Sequence, residues 1–249
     1  MRATNWRFAV CFPAVVALVL IVWIIRIPET LRPENRRDLD FGSVGRTARE
    51  LGHHRATMLY ALGIMFLMGS LTSYIGLTEQ IIEETYHRGS QFAVIFGALA
   101  LVMGMSTLLN AALVGRFGLH RMVQIVPVLL FLHSSAFATI SVLTNNRTPF
   151  PAYCVGVAGL LAMQTLVIPN CNAAAMLPVG HFAGAASGVI GTVTTIGGAA
   201  LGLIVTNFHR SGTNVLLIGQ AVFAGCCLAV TVFARKADTR KPDTPKSPP

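Results

Sequence analysis

The chain has 249 residues, of which 53% are hydrophobic and only 12% charged, a balance that excludes an ordinary soluble domain. Its net charge of +9 comes from nineteen Lys and Arg gathered in loops and tails, which excludes a nucleic-acid-binding face and reports membrane topology instead. The five cysteines (Cys11, Cys154, Cys171, Cys226 and Cys227) lie in apolar stretches without CxxC spacing or paired histidines, so no metal site is expected.

Seven apolar stretches follow in chain order: Phe8–Ile25, Thr57–Leu77, Gln91–Val114, Met122–Thr144, Ala152–Leu177, Phe182–Thr206 and Asn214–Ala234. A helix needs about 20 apolar residues to cross the hydrocarbon core, and every backbone polar group there must be bonded within the segment. The sequence therefore predicts an all-α integral membrane protein with about seven transmembrane helices. Its expected organisation is a first helix over 1–26, a cytoplasmic linker over 27–56, a six-helix unit over 57–234 and a disordered tail over 235–249. The first stretch ends in Trp23-Ile24-Ile25-Arg26 rather than a small-x-small cleavage site, so it reads as a retained helix and not a secretory signal. Within the linker, Val44–Leu51 mixes apolar and charged positions as a short surface helix would.

Assigning the loops alternately to two sides puts 14 basic residues on one side and 5 on the other. Positive residues stay in the cytoplasm, which places the linker and the C-terminal tail inside and Thr78–Ser90 outside. No G-x-x-x-x-G-K-[ST] loop is present, so no nucleotide engine and no cofactor are implied. A retinal protein would need a lysine in a span, but Lys236, Lys241 and Lys246 all fall in the tail. An intramembrane serine protease would need G-x-S-G, and Gly184-Ala185-Ala186-Ser187-Gly188 carries Ala185 in place of the required glycine. The chain reads as a non-enzyme.

Asn5-Trp6-Arg7 before a helix that ends in Pro28-Glu29-Thr30-Leu31 resembles the sixth helix of major facilitator superfamily drug exporters, with the bicyclomycin-resistance (Bcr/CflA) group of drug:proton antiporters the nearest likeness. Leu108-Leu109-Asn110-Ala111-Ala112-Leu113-Val114, Ile168-Pro169-Asn170 and the small-residue run Ala183–Gly191 occur in the order that group would place them. The resemblance covers nearly the whole chain. It implies one helix plus the C-terminal six-helix half of a twelve-helix transporter, exporting a small hydrophobic or amphipathic drug in exchange for protons across a bacterial inner membrane. It also implies that five preceding helices, and the coupling carboxylates among them, belong to a missing N-terminal half. That half or a second copy would then be a partner beside the lipid bilayer. The alternative is an inactive or regulatory half-transporter that only assembles with another membrane protein. The loop Gly115–Arg121 resembles the family's gating loop, with Arg116, Gly118 and Arg121 in place, Gly115 where an Asp is usual and Ala111 at the first Gly.

Candidate residues lie inside the spans. Tyr74, Asn110, Gln164, Asn170 and Gln220 are the uncharged polar groups suited to a mainly apolar drug site, and they equally suit hydrogen bonding between helices. Pro169 is expected to disturb the backbone next to Asn170. His133 is the titratable candidate midway through a span, either as a proton-coupling group or as a neutral packing residue near Ser134 and Ser135. Gly184/Gly188 and Gly198/Gly202 are two small-xxx-small pairs expected to pack the sixth span closely against a neighbour.

Overall fold

All seven apolar stretches fold as helices in the computed structural model, which describes residues 3–26, 41–146, 148–208 and 212–238. The chain divides between Ser43 and Val44 into two units. The first holds α1 (Ala3–Arg26), 24 residues with Pro13 inside and an apolar stretch over Cys11–Arg26. The second begins within α2 (Phe41–His53), a short amphipathic helix whose Leu51 is fully buried. Six helices long and apolar enough to cross a membrane follow: α3 (Arg55–Gln80), α4 (Phe92–Phe117), α5 (Leu119–Leu143), α6 (Phe150–Met176), α7 (Ala183–Asn207) and α8 (Asn214–Asp238).

The helix ends follow from local chemistry. α3 closes in a π-helical turn, Ile81–Thr85, and a single 3-10 turn, Gly89–Gln91, leads into α4. Gly118 alone separates α4 from α5, at φ 78°, a left-handed conformation that a residue without Cβ adopts without strain. Asn145 and Asn146 also take positive φ, and the Asn146 Oδ1 accepts hydrogen bonds from the backbone N–H of Thr213 (3.1 Å) and Asn214 (2.9 Å). A side chain from the α5–α6 turn thereby caps the start of α8. α6 runs without a break through Pro169; the irregularity expected there appears instead at Val179 (φ −118°), inside the 3-10 segment Leu177–Phe182 that carries Pro178. α8 continues four residues past Ala234, so 235–238 is helix rather than tail. The rest of the expected tail, and positions 27–40 of the linker, lie outside the described residues.

Within the second unit α4, α6, α3 and α7 follow one another as neighbours, while α5 packs on α6 and α8, and α8 packs on α3. Thr57 Oγ1 donates to the Ala175 carbonyl (2.9 Å) at one end, and Tyr86 Oη donates to the Thr148 carbonyl (3.0 Å) at the other, which fixes α3 and α6 as antiparallel partners. Large buried side chains (Leu67, Leu77, Leu130, Tyr153, Leu161 and Leu216) fill the space between α3, α5, α6 and α8. The spans differ sharply in burial: half of the apolar window of α3 and 44% of that of α6 are buried, against 22% for α7 and 11% for α4. The two most open helices are therefore the two at the ends of the α4–α6–α3–α7 row.

Candidate functional site

Four of the polar residues singled out in the spans fall into two bonded groups. Ser70 on α3, Gln164 on α6 and Gln220 on α8 are all buried and bonded to one another. Gln164 Nε2 donates to Ser70 Oγ (2.6 Å) and to Gln220 Oε1 (3.0 Å), the Ser70 hydroxyl also donates to Gln220 Oε1, and Gln220 Nε2 donates to the Ser70 carbonyl (2.9 Å). Three helices are thus joined by hydrogen bonds between buried side chains. Beside this node a cavity of about 10 Å³ is lined by Tyr74, Val157, Leu160, Leu161, Leu216, Leu217 and Gln220.

The second group is a pair. Asn170 Nδ2 donates to Asn110 Oδ1 (2.8 Å) and to the Leu166 carbonyl (2.7 Å), tying α6 to α4. Asn170 is buried and Asn110 half-buried. Tyr74 is buried with its ring stacked on Phe96 of α4 (6.1 Å between centroids, 6° between planes). An aromatic cluster continues toward the end of α3: Tyr86 meets Phe150 at 5.1 Å and Tyr153 at 5.2 Å, and the Arg88 guanidinium lies 4.7 Å over the Phe150 ring.

Of the five polar residues singled out in the sequence, Gln164 and Gln220 come together, Asn110 and Asn170 come together, and Tyr74 lines the cavity beside Gln220. Four of the five are buried within the six-helix unit and join helices in this conformation, so none of those four presents its polar head on an open surface. Ser70 was not singled out, although it lies one turn before Tyr74 on the same face of an apolar helix, a spacing that marks it. Asn146 was missed as well; the Asn-Asn pair just before a helix start was its signal.

His133 bonds through Nε2 to the Gly156 carbonyl (2.9 Å) and stacks on Phe137 one turn along α5. A carbonyl only accepts, so that nitrogen carries the hydrogen. The ring sits so close to α6 that a Cβ on Gly159 would lie 2.8 Å from Nε2. This places His133 in the α5–α6 contact, with its hydrogen engaged. At the Gly118 link, Arg116 and Arg121 are exposed, and the Arg116 guanidinium lies 5.6 Å over the Phe117 ring.

The two glycine pairs of α7 part company. A Cβ on Gly198 would meet Met68 Cβ and lie 3.1 Å from the Gly69 nitrogen, and one on Gly202 would lie 2.5 Å from Thr72 Cβ and 3.1 Å from the Gly69 carbonyl oxygen. Gly184 and Gly188 have nothing within 4 Å of that position, so the close packing expected of both pairs is found at the second pair alone. Among the described residues no group of three His, Cys, Asp or Glu is placed to hold a metal ion.

The arrangement is a six-helix unit with a mainly apolar core that holds a few bonded polar side chains, and with two open apolar flanks; the amino-acid sequence over residues 1–202 matches the family model described as Major Facilitator Superfamily. The chain belongs to this superfamily. It is 24% identical over 219 residues to a Bacillus subtilis (strain 168) protein named Uncharacterized MFS-type transporter YdgK, an alignment covering 87% of this chain and 52% of that protein. It is 23% identical over 234 residues to the Bicyclomycin resistance protein homolog of Haemophilus influenzae (strain ATCC 51907 / DSM 11121 / KW20 / Rd), covering 92% of this chain and 56% of the relative. The chain spans about half the length of the curated relatives it matches. No solved structure matches it.

Proposed function

We propose that this superfamily member forms one half of an exporter of small hydrophobic or amphipathic drugs, coupled to protons, in a bacterial inner membrane with its C-terminus in the cytoplasm. The observation that carries the reading is the uneven burial of the spans. α4 and α7 leave Leu101, Met105, Leu108, Ile196 and Leu203 exposed on either side of α3 and α6. In this superfamily two six-helix halves rock against each other around a site at mid-membrane, so a unit with open flanking helices fits the role of one half. The name of the Haemophilus influenzae relative supports drugs as the substrate class. The 14-to-5 division of basic residues supports the orientation.

In this reading the Asn110–Asn170 pair is the substrate contact of this half, because Asn110 is half-buried on the open helix α4 while Asn170 anchors it from α6. The Ser70–Gln164–Gln220 node then keeps the half rigid as it moves. Proton coupling belongs to groups of the second half, with His133 as a packing residue.

The test is efflux of a fluorescent cationic dye from inverted vesicles. The 249-residue chain alone is expected to give no proton-driven transport, and co-expression with the N-terminal five helices of a twelve-helix relative is expected to restore part of it. Asn110→Ala and Asn170→Ala should then lower efflux at least about tenfold, while His133→Gln, which keeps a hydrogen-bond donor, should leave its pH dependence unchanged. Proton-driven efflux by this chain alone, abolished by His133→Gln, would overturn the half-transporter reading and make His133 the coupling residue.

A further inference from the structure

We propose that the turn between α4 and α5 binds an anionic phospholipid, its phosphate held by Arg116 and Arg121 and an acyl chain laid along the open face of α4. α4 has 26 residues, so at about 1.5 Å each it is about 39 Å long and outreaches a hydrocarbon core of about 30 Å. It carries no charge before Arg116, which puts that residue where the head groups begin. Arg116, Phe117, His120 and Arg121 are all exposed, and residues 115–121 include no acidic side chain. The Arg116 guanidinium lies over the Phe117 ring, and an arginine beside an exposed aromatic ring suits the boundary between hydrocarbon and water. A Cβ on Gly115 or Gly118 would meet nothing within 4 Å, so the rest of the unit leaves this turn uncovered.

The surface of α4 says which anion fits. Met105, Leu109, Ala112 and Arg116 follow one another at three- or four-residue spacing, so they share one stripe of the helix, and all four are exposed. A free phosphate would use only the end of that stripe. A phospholipid uses all of it: the acyl chain covers Met105, Leu109 and Ala112, while the phosphate accepts hydrogen bonds from the two guanidinium groups. A zwitterionic head group would bring its own cation to a turn that already carries two, so a net negative one is favoured. The opposite end of the unit offers no such place. There Arg88 donates to Gln91 Oε1 (3.1 Å) and lies over the Phe150 ring, and Glu79, Glu83 and Glu84 are exposed, which among the described residues makes that end repel an anion.

The proposal rests on α4 spanning the membrane and does not depend on transport. The test is thermal unfolding of the full chain in detergent at low ionic strength, with dioleoylphosphatidylglycerol, dioleoylphosphatidylcholine or inorganic phosphate added. Phosphatidylglycerol is expected to raise Tm by about 3–8 °C, and the other two additions by less than about 1 °C. The double variant Arg116→Gln/Arg121→Gln should lose at least about half of that rise. Arg49→Gln/Arg55→Gln, which removes two exposed charges of α2 and α3, should keep it. Phosphatidylcholine as effective as phosphatidylglycerol would show a site for the chain alone, and inorganic phosphate as effective would show one for the anion alone; either overturns the proposal. So does an equal loss in both double variants, the signature of a general surface field rather than a site at this turn. No rise with phosphatidylglycerol, or an unchanged rise in Arg116→Gln/Arg121→Gln, would overturn it as well.

Discussion

The two ends of α7 are built from the same residue type at the same spacing, and they meet opposite surroundings. Around Gly197, Gly198 and Gly202 the backbone of α3 and the side chains of Met65, Met68 and Thr72 leave no room for a Cβ. Around Gly184, Gly188 and Gly191, between about two and five turns away on the same helix, nothing lies within 4 Å of an added Cβ. Small-xxx-small spacing permits two backbones to approach; whether anything approaches depends on what stands opposite. At the second pair the backbone of α3 stands opposite; at the first pair the glycines lie on the exposed side of α7.

Gly198→Leu is the strongest way to break that comparison. The added side chain meets backbone atoms of α3, which cannot step aside as a flexible side chain would, so the expected outcome is loss of folded protein or a fall in Tm of about 10 °C in detergent. Gly188→Leu should stay within about 2 °C of the parent protein by the same measurement, and equal losses would remove the distinction. If a second half covers the open flank, Gly188→Leu should instead impair dye efflux in the completed transporter while leaving the stability of this chain alone unchanged.

Gln164→Leu probes the packed region at its polar centre. It removes the donor to Ser70 Oγ and one of the two donors to Gln220 Oε1, which keeps the Ser70 hydroxyl, and the expected cost is about 1–3 kcal/mol, read as lower Tm. Asn110→Leu, made at the edge of the open region, should cost less, because Asn110 is half-buried and Asn170 keeps its bond to the Leu166 carbonyl. Asn146→Ala removes the cap on α8 and should cost about 1 kcal/mol.

The smallest effect is a pH dependence at the end of α3 where Tyr86 packs on Phe150 and Tyr153. Burial pushes the Tyr86 hydroxyl from 10.0 up to about 12, so the fold favours the protonated form. Its contribution to stability is complete below pH 10 and is lost as pH rises from 10 toward 12. Tm measured against pH should fall less steeply over that window in Tyr86→Phe than in the parent chain, and identical slopes would exclude Tyr86 as a contributor.

Much of this architecture is written locally. Apolar length placed each span to within about a turn of its helix, because crossing hydrocarbon and bonding the backbone internally are properties of a segment on its own. Gly118 and the Asn145–Asn146 pair are legible in the same way, as residues that tolerate positive φ where a helix must stop. Pro169 misled because a proline removes one hydrogen bond but a long helix supported by α3, α4 and α5 continues past it; the break came at Val179, beyond that support. The composition of the candidate site could be read, but its grouping could not. Nothing near Gln164 in the chain announces that its partners are Ser70, 94 positions away, and Gln220, 56 positions away.

By itself, then, the sequence determined a membrane bundle of about seven helices, its superfamily likeness and the sidedness of its charge, since hydropathy and charge act through the solvent and need no partner. Only the tertiary structure decided which polar residues bond to each other, that His133 is engaged with the Gly156 carbonyl, and which end of α7 is a seam. Those outcomes depend on what the neighbouring helix presents at each level, and that is fixed by the packing of α3 against α6, α7 and α8.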